Sequence, residues 1–409
     1  MRLLSLAARS LCFLLALAAV AEAQSVFATS FFSPADGDPD PTLSGVLRID
    51  LATGEAATFI PESAEGLVSP TDVVLSTDQS TLYVSSQDGR IWRFDAATGA
   101  PLPSLVAGQP AGVFAALPTA GLGDGFNSLL LRGTNQLVAA TAFGSVVPFN
   151  LSTGAQGTDL ASGLAFPSGV AHAPTGELIV AVGDPFGGPG ALVEIDGPNV
   201  TTLVDFTATP GVRGGGSPAV LRPAGDYNRG GVVDESDYQV WLDTYGLDAG
   251  LADGNNDGVT DAADYTIWRD NLGAESRILV ADLNGNQIVG FDLDGSDGAQ
   301  ISVIPPAIPD PLPPTANPVA PSNSPSEILL TDDGTLLVST LGLTRRPDNR
   351  AALLEFDLEG NLLRTIAGDL PPLSGIAFAP DAVSAGVPEP AGALLAGLAA
   401  ASVLRRRSR

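Results

Sequence analysis

The sequence predicts a mainly β fold, a β-propeller of six blades with a small α-helical calcium-loop module inserted in one blade. Three observations support this prediction. Short apolar strands joined by Gly and Asp turns recur in units of about 40 residues. The two ends of the repetitive region complement each other as parts of one unit. Another unit is interrupted by a segment with paired acidic loops, each followed by a helical pattern.

Each repeat unit contains three or four short strands, and its third strand ends in Phe or Ile followed by Asp or Asn and a turn. The first, second and third strands of the copies lie at 70–75, 81–85 and 90–95, at 167–170, 177–181 and 191–196, at 325–329, 335–339 and 352–357, and, in a divergent copy, at 126–129, 136–139 and 146–150. Such units predict the blades of a propeller.

The two ends of the repetitive region predict ring closure. Residues 374–379 resemble a first strand without its successors, whereas 26–30 and 45–50 resemble second and third strands without a first. Joined, they complete one blade and leave no open sheet edge. The units resemble those of the NHL and gluconolactonase-like propellers over most of residues 25–383, which implies a propeller body formed by 24–223 and 276–383.

The inserted module is assigned to residues 224–275. It separates a first strand and the start of its turn, 217–225, from second and third strands at 277–281 and 287–292. Residues 226–273 hold two copies displaced by 27 positions, so that Asp226 corresponds to Asp253. A turn between two strands tolerates an insertion when the ends of the insertion stay close together.

The two copies predict calcium binding. A twelve-residue calcium loop needs side-chain oxygens at positions 1, 3, 5, 9 and 12, a backbone carbonyl at 7 and Gly at 6. The second copy supplies all of them, in order Asp253, Asn255, Asp257, Gly258, Val259, Asp261 and Asp264. The first copy supplies Asp226, Asn228, Gly231, Val232, Asp234 and Asp237, but Gly230 stands at position 5. We therefore expect calcium as the cofactor, bound more weakly by the first loop.

Asp at position 12, paired loops and one helix after each loop resemble a type I dockerin. The resemblance implies docking to a cohesin-like protein or another surface protein, often in extracellular polysaccharide processing. Each helix carries an apolar stripe, formed by Tyr238, Trp241 and Tyr245 and by Tyr265, Trp268 and Leu272. These side chains either form the core of the module or contact the partner, and the helical spacing favours the core.

Residues 1–23 are typical of a signal peptide. Arg2 and Arg9 flank an apolar run, 11–20, which closes on Ala21-Glu22-Ala23, so the mature chain is expected to begin at Gln24. The alternative is a membrane anchor. Ten apolar residues extend only about 15 Å as a helix, roughly half of a bilayer core, which favours the signal peptide.

Residues 384–409 are assigned to a sorting signal. Pro388-Glu389-Pro390 precedes an apolar segment, 391–404, and an Arg-rich end, 405–409. This order resembles a PEP-CTERM signal and implies recognition and cleavage by an exosortase. The alternative is a plain tail anchor, for which fourteen apolar residues are short. We expect the protein at the cell envelope, on the cell surface or outside the cell, touching the membrane only transiently through these signals.

The composition excludes several classes of chemistry. All 19 basic residues are Arg, and the formal net charge of −27 disfavours nucleic acid as a partner. Without Lys there is no Schiff base or P-loop phosphate site. Cys12 lies in the signal peptide and His172 is the single His, so thiol catalysis and a typical zinc site are absent. His172 stands in a strand pattern without a nucleophile elbow, which favours a structural role.

At the starts of first strands, Asp72, Asn127 and Glu327 could converge on the central channel. Gluconolactonase-like propellers hold a divalent metal with carboxylate and Asn ligands in such a channel, although their motifs have no residue-by-residue match here. The preferred function is a binding or scaffold protein, in which the propeller recognises a ligand and the module docks with calcium. The alternative is a metal-dependent lactonase or a carbohydrate-active hydrolase or lyase that uses channel carboxylates.

Overall fold

The structure, a computed structural model, describes residues 24–30, 43–62, 66–117, 125–183, 190–247, 250–255, 257–304, 324–331, 334–342 and 351–380. The predicted signal peptide, 1–23, and the predicted sorting signal, 384–409, lie outside these residues. Within the described part of the chain, no helix combines the length and the apolar character needed to cross a membrane.

Six antiparallel sheets are present in the described residues, and they form the blades of the propeller. Their strands are β1 (Ser25–Ser30), β2 (Val46–Asp50), β3 (Ala56–Ile60), β4 (Pro70–Leu75), β5 (Thr81–Ser86), β6 (Arg90–Asp95), β7 (Val113–Ala116), β8 (Phe126–Arg132), β9 (Gln136–Thr141), β10 (Val146–Asn150), β11 (Pro167–His172), β12 (Leu178–Gly183), β13 (Gly190–Asp196), β14 (Asn199–Asp205), β15 (Pro218–Leu221), β16 (Arg277–Asp282), β17 (Gln287–Asp292), β18 (Ala299–Val303), β19 (Pro325–Leu330), β20 (Leu336–Thr340), β21 (Ala351–Phe356), β22 (Leu362–Leu370) and β23 (Leu373–Phe378). The helices are α1 (Glu235–Thr244) and α2 (Ala262–Asp270).

Blade 1 confirms the predicted closure of the ring. Its strand order is β23-β1-β2-β3, so the last strand of the body is the first strand of this blade. Val26 lies opposite Phe378, and Ala28 lies opposite Ile376. The other blades are β4 to β7, β8 to β10, β11 to β14, β15 to β18 and β19 to β22. The predicted mainly β, six-bladed fold is therefore confirmed.

The core of the propeller lies between the blades. Phe27 from blade 1 packs with Trp92 and Phe94 from blade 2, and all three are fully buried. Because each blade packs against neighbours on both faces, a central strand such as β12 is buried at every position. Burying a Leu or Phe side chain contributes about 1.5–3 kcal/mol. The continuous apolar runs of the sequence follow from this arrangement.

A β-bulge recurs near the start of the first strands. In blade 2 the register shifts between Pro70 and Asp72, and comparable shifts occur in blades 1, 3, 4 and 6. The bulge leaves one extra residue on the first strand, and that residue is Thr71 in blade 2. In these five blades it thereby sets which side chains of the first strand face the central channel.

The helical segment leaves blade 5 at the mouth of a hairpin. β15 pairs with β16, and Leu221 lies directly opposite Arg277. The chain between these two residues therefore departs from the sheet and returns to it at adjacent points. Gly231, at its propeller end, is positioned so that an added Cβ would lie 3.1 Å from Leu293 and 3.3 Å from Pro174. The segment thus packs against turns of blades 4 and 5.

Candidate functional site

The two acidic loops of the inserted segment adopt the same turn. Gly231 and Gly258, each at position 6 of its loop, have φ angles of 90° and 91°. This left-handed conformation is strained for residues with a Cβ, and a calcium loop requires it at position 6. The local sequence therefore provides the backbone freedom that the turn needs.

Position 12 of each loop is a buried carboxylate that points back into the loop. Asp237 accepts hydrogen bonds from the Asn228 and Asp234 nitrogens, both at 2.8 Å. Asp264 likewise accepts from Gly254 and Asp261, both at 2.7 Å. Asp237 and Asp264 are fully buried, and each completes a capping box at the start of its helix. One carboxylate thus joins the ends of the loop to the helix.

The carboxylates at position 1 also have matching partners. Asp226 accepts from the Gly230 and Gly231 nitrogens, at 2.8 and 3.1 Å. Asp253 accepts from Asp257 and Gly258, at 3.1 and 2.9 Å. The loops differ at position 5, where Asp257 has a carboxylate and an added Cβ at Gly230 would lie 2.6 Å from the Asn228 oxygen.

Each helix is bonded to the opposite loop. Trp241 on α1 donates its indole N–H to the Asp261 carbonyl at 2.7 Å, and Trp268 on α2 donates to the Asp234 carbonyl at 2.7 Å. The backbone repeats this exchange, since Val233 N bonds to Ala274 O at 2.9 Å and Thr260 N to Leu247 O at 3.1 Å. The two copies therefore form one unit with internal two-fold symmetry.

The donor set of these loops fits calcium. Every side chain at the ligand positions is a carboxylate or an amide, and each of these groups offers an oxygen atom, which suits a hard divalent cation. In the described residues no three His, Cys, Asp or Glu side chains converge as a ready-made metal group. Burial raises the pKa of Asp226, so a nearby cation would relieve the cost of its charge.

The aromatic stripes of the two helices divide into two sets. Tyr238, Trp241, Tyr265 and Trp268 pack against one another with ring centroids 5.0–6.0 Å apart, which makes them the core of the segment. Tyr245 and Leu272, which correspond under the 27-residue displacement, are 55% and 57% exposed. The last position of each stripe is therefore available to a partner.

In the propeller, the structure brings Asp72 and Glu327 together. Asp72 is 3% exposed and accepts from the Val73 and Leu129 nitrogens at 2.7 and 2.6 Å. Glu327 accepts from the Ile376 nitrogen at 2.7 Å, and the two carboxyl groups hydrogen-bond each other. The pair therefore links the first strands of blades 1, 2, 3 and 6.

Asn127 does not join this pair. It is the extra residue of the bulge in blade 3, and its Nδ2 donates to the Pro167 carbonyl at 2.9 Å. The Ser128 hydroxyl, one residue later, bonds to Asp72 instead. Asn127 occupies the bulge position that Thr71 and Ser326 occupy in blades 2 and 6, so Ser128 is the residue that corresponds to Asp72 and Glu327.

Gly375 lies beside the Asp72 and Glu327 pair, and the sequence analysis did not predict it. A Cβ at this position would lie 2.4 Å from the Asp72 Oδ1 atom. Gly375 lies on β23, the first strand of blade 1, between the blades that carry Asp72 and Glu327. The missing side chain is therefore what allows the two carboxyl groups to meet.

Burial governs the protonation of the pair. It raises the pKa of Asp72 to about 7, against the effect of its hydrogen bonds from Leu129 and Val73. Burial, and then the charge of Asp72, raises the pKa of Glu327 well above its usual range. In the hydrogen bond between the two carboxyl groups Glu327 is the donor and Asp72 the acceptor, so the pair shares a proton. Such a pair can exchange a proton near pH 7.

Polar side chains at the bulges link neighbouring blades. The hydroxyls of Thr71, Ser168 and Ser326 donate to carbonyl oxygens at the start of the next first strand, at 2.5, 3.2 and 2.7 Å. Asn127 makes the equivalent bond in blade 3. A polar residue at the second position of the first strand in blades 2, 3, 4 and 6 could have predicted these bonds from the sequence. These side chains have a structural role in holding the ring.

A cavity of about 820 Å³ lies along the inner strands. Glu327 lines it at the starts of the first strands, and His172, Arg222 and Arg229 line it near their ends. His172 Nε2 lies 2.8 Å from the Leu131 carbonyl oxygen, so this nitrogen carries the hydrogen and donates it. That bond ties blade 4 to blade 3, in keeping with a structural role.

The chain matches no protein-family model and no curated protein. Solved structures similar to it include the nidogen/laminin complex, at 12% identity and a TM-score of 0.48 over 88% of this chain and 98% of that one. A protein of unknown function from Bacteroides caccae is similar at 13% identity and a TM-score of 0.49, over 87% and 98%. Virginiamycin B lyase from Staphylococcus aureus is similar at 11% identity and 0.38, over 72% and 68%. These likenesses concern the fold alone.

Proposed function

We propose that this protein is an exported binding protein, in which the module binds calcium and docks to a second protein while the propeller recognises a ligand. The observation that carries the proposal is the pair of matching acidic loops joined by reciprocal tryptophan bonds, from Trp241 to Asp261 and from Trp268 to Asp234. Because each helix is bonded to the opposite loop, ordering of either loop should order the whole segment.

Calcium would be held by the oxygens of the two loops. In the second loop these are Asp253, Asn255, Asp257, the Val259 carbonyl, Asp261 and Asp264, and in the first loop Asp226, Asn228, the Val232 carbonyl, Asp234 and Asp237. A bound ion would supply positive charge among these carboxylates and so favour the ordered loop. The second loop binds more tightly because it has one more side-chain oxygen.

The docking face of the module is proposed to contain Tyr245 and Leu272. Both side chains are exposed and lie at equivalent positions of the two copies. Leu242 and Leu251 are also exposed, by 44% and 73%. So many exposed apolar side chains on one small module are typical of an interaction surface. The resemblance to dockerins suggests a cohesin-like protein as the partner.

Export and sorting are proposed from the two ends of the sequence. A chain that ends at Ser384 lacks Pro388-Glu389-Pro390 and the Arg-rich end. It should be exported but reach the medium without processing at the envelope. Unchanged localisation together with an unchanged mature mass would argue against the sorting signal.

Calcium titration calorimetry tests the central part of the proposal. The parent should show two unequal sites, and Asp253→Ala should remove the tighter one, while Asp226→Ala should remove the weaker one and have less effect on the module as a whole. Asp270→Ala, an exposed carboxylate outside both loops, is the matched control. Two equal tight sites, or unchanged binding in Asp253→Ala, would contradict the assignment.

A second candidate function, a hydrolase or lyase, is favoured by the proton shared between Asp72 and Glu327. A carboxyl group whose pKa is raised by burial is suited to general acid catalysis. Metal analysis of the propeller after deletion of 226–273, which contains all the calcium-loop ligands, separates the two functions. A retained stoichiometric metal would favour the metal-dependent enzyme.

A further inference from the structure

The cavity along the inner strands has an apolar wall and a cationic mouth. Its wall includes the partly exposed side chains of Leu130, Leu131, Leu329 and Phe378, and its mouth includes Arg222 and Arg229. Among the described residues neither guanidinium donates a hydrogen bond or forms an ion pair, although Arg222 influences Asp226 through space. Two arginines without close partners are notable in a chain of net charge −27.

The first calcium loop holds one of these arginines in place. Arg229 lies between Asn228 and Gly230 with a φ of 62°. The next turn of the loop packs on Pro174 and Leu293 of the propeller through Gly231. Arg229 is therefore carried to the channel mouth by the inserted segment, whereas Arg222 reaches it from the end of β15.

We propose that this channel binds an aliphatic monocarboxylate through its module-side mouth. The carboxylate pairs with Arg222 and Arg229, and the hydrocarbon chain lies along the apolar wall towards Glu327. This inference rests on the proposed role of the propeller in ligand recognition and names the class of ligand.

The chemistry of the cavity selects this class. Guanidinium groups bind carboxylates through two parallel charge-assisted hydrogen bonds. Each buried methylene strengthens binding by about fourfold. Between Glu327 and Leu330 the first strand extends roughly 10 Å, which corresponds to a chain of about eight carbons. The turn residues Ser76 and Thr77 also line the cavity and lengthen it at the mouth.

Titration calorimetry of the purified protein with hexanoate, octanoate, decanoate and tetradecanoate, below their micelle concentrations, tests the proposal. Affinity should rise with chain length and level off near ten carbons. The double variant Arg222→Gln, Arg229→Gln should bind decanoate about tenfold more weakly or worse. It should bind 1-decanol as the parent does. Arg132→Gln, a control on blade 3, should change neither affinity.

Several outcomes would overturn the inference. These are equal decanoate binding by the parent and the double variant, or no binding of any chain length by the parent at millimolar concentration. Melting temperature and calcium titration of the same samples show whether each variant is folded and whether its loops still bind calcium. If the parent binds calcium but not decanoate, only the carboxylate site is rejected. If the parent does not bind calcium, the proposed function is rejected.

Discussion

At the scale of single residues, the carboxyl pair shows how one glycine permits a contact between blades. Gly375 leaves the space in which Asp72 meets Glu327, and each carboxyl group also accepts a backbone N–H from another blade. The pair therefore contributes to ring closure as long as it holds a proton. Its protonation connects the stability of the propeller to pH.

The first prediction concerns that pH dependence. The folded-state pKa of Asp72 is about 7 and that of Glu327 is also raised, whereas unfolded carboxyl groups titrate near 4. The native state therefore binds more protons than the unfolded state between these values. The stabilisation due to the pair is complete below about pH 4 and is lost as pH rises through about 7.

Glu327→Gln should reduce this dependence, because the amide imitates the protonated acid. Its oxygen can accept from Ile376 and its nitrogen can donate to Asp72. Denaturant unfolding from pH 5 to 9 in chelator should show that the parent loses more stability than the variant. Turn carboxylates such as Asp95, whose pKa is lowered by hydrogen bonds from Thr98, are ionised in both the folded and the unfolded state over this pH range and do not contribute to the difference. Glu359→Gln, at an exposed carboxylate, serves as the control. If the free energy of unfolding depends on pH in the same way in the parent and in Glu327→Gln, the assignment is wrong.

At the scale of elements, the two helix and loop copies depend on each other. α1 follows the first loop, yet its Trp241 is bonded to the second loop at Asp261. α2 follows the second loop, yet its Trp268 is bonded to the first loop at Asp234. The order of one loop is consequently expected to support calcium binding by the other.

The second prediction is that Trp241→Phe weakens calcium binding at the second loop, which is proposed to be the tighter site, although Trp241 lies outside that loop. The variant keeps an aromatic ring but loses the indole N–H and its hydrogen bond to the Asp261 carbonyl. This loss should lower the calcium affinity by about three- to tenfold. Calcium titration followed by circular dichroism measures the change. Tyr245→Phe, an exposed neighbour of Trp241, is the control. A change confined to the weaker site would disprove the cross-connection.

At the scale of the whole molecule, the propeller is closed by pairing its first and last strands. β1 pairs with β23, and Leu221 pairs with Arg277 at the base of the inserted segment. The blade that carries the segment therefore retains its own hairpin. The segment contributes its own core, formed around Tyr227, Val233 and Trp268.

The third prediction is that residues 226–273 can be replaced by a short Gly/Asn turn without unfolding the propeller. The ends leave adjacent positions, and a shorter loop slightly lowers the entropy cost of closure. The shortened chain should melt within a few degrees of the parent, both measured in chelator to remove the contribution of calcium.

Deletion of β18, an outer strand of the same blade, is the contrasting control for this prediction and should lower the melting temperature. An insoluble product after excision of 226–273 would show that contacts such as Gly231 with Pro174 and Leu293 are needed for the body to fold.

The sequence was sufficient to predict strands, blades and the closure of the ring, because these depend on local periodicity and turn residues. The third strands ending in Phe or Ile followed by Asp, and the unmatched strands at 26–30 and 374–379, were enough for six blades. The oxygen pattern of the acidic loops was equally visible, and its left-handed glycines follow from the same local chemistry.

Only the tertiary structure decided which side chains of different blades meet. The contact of Asp72 with Glu327 requires Gly375 on a strand some 300 residues from Asp72 in the sequence, and the bulge places Asn127 on a neighbouring carbonyl instead. The position of Arg229 at the channel mouth depends on how the first loop packs on Pro174 and Leu293. Register shifts and packing between blades are set by long-range pairing, so the local sequence pattern does not contain them.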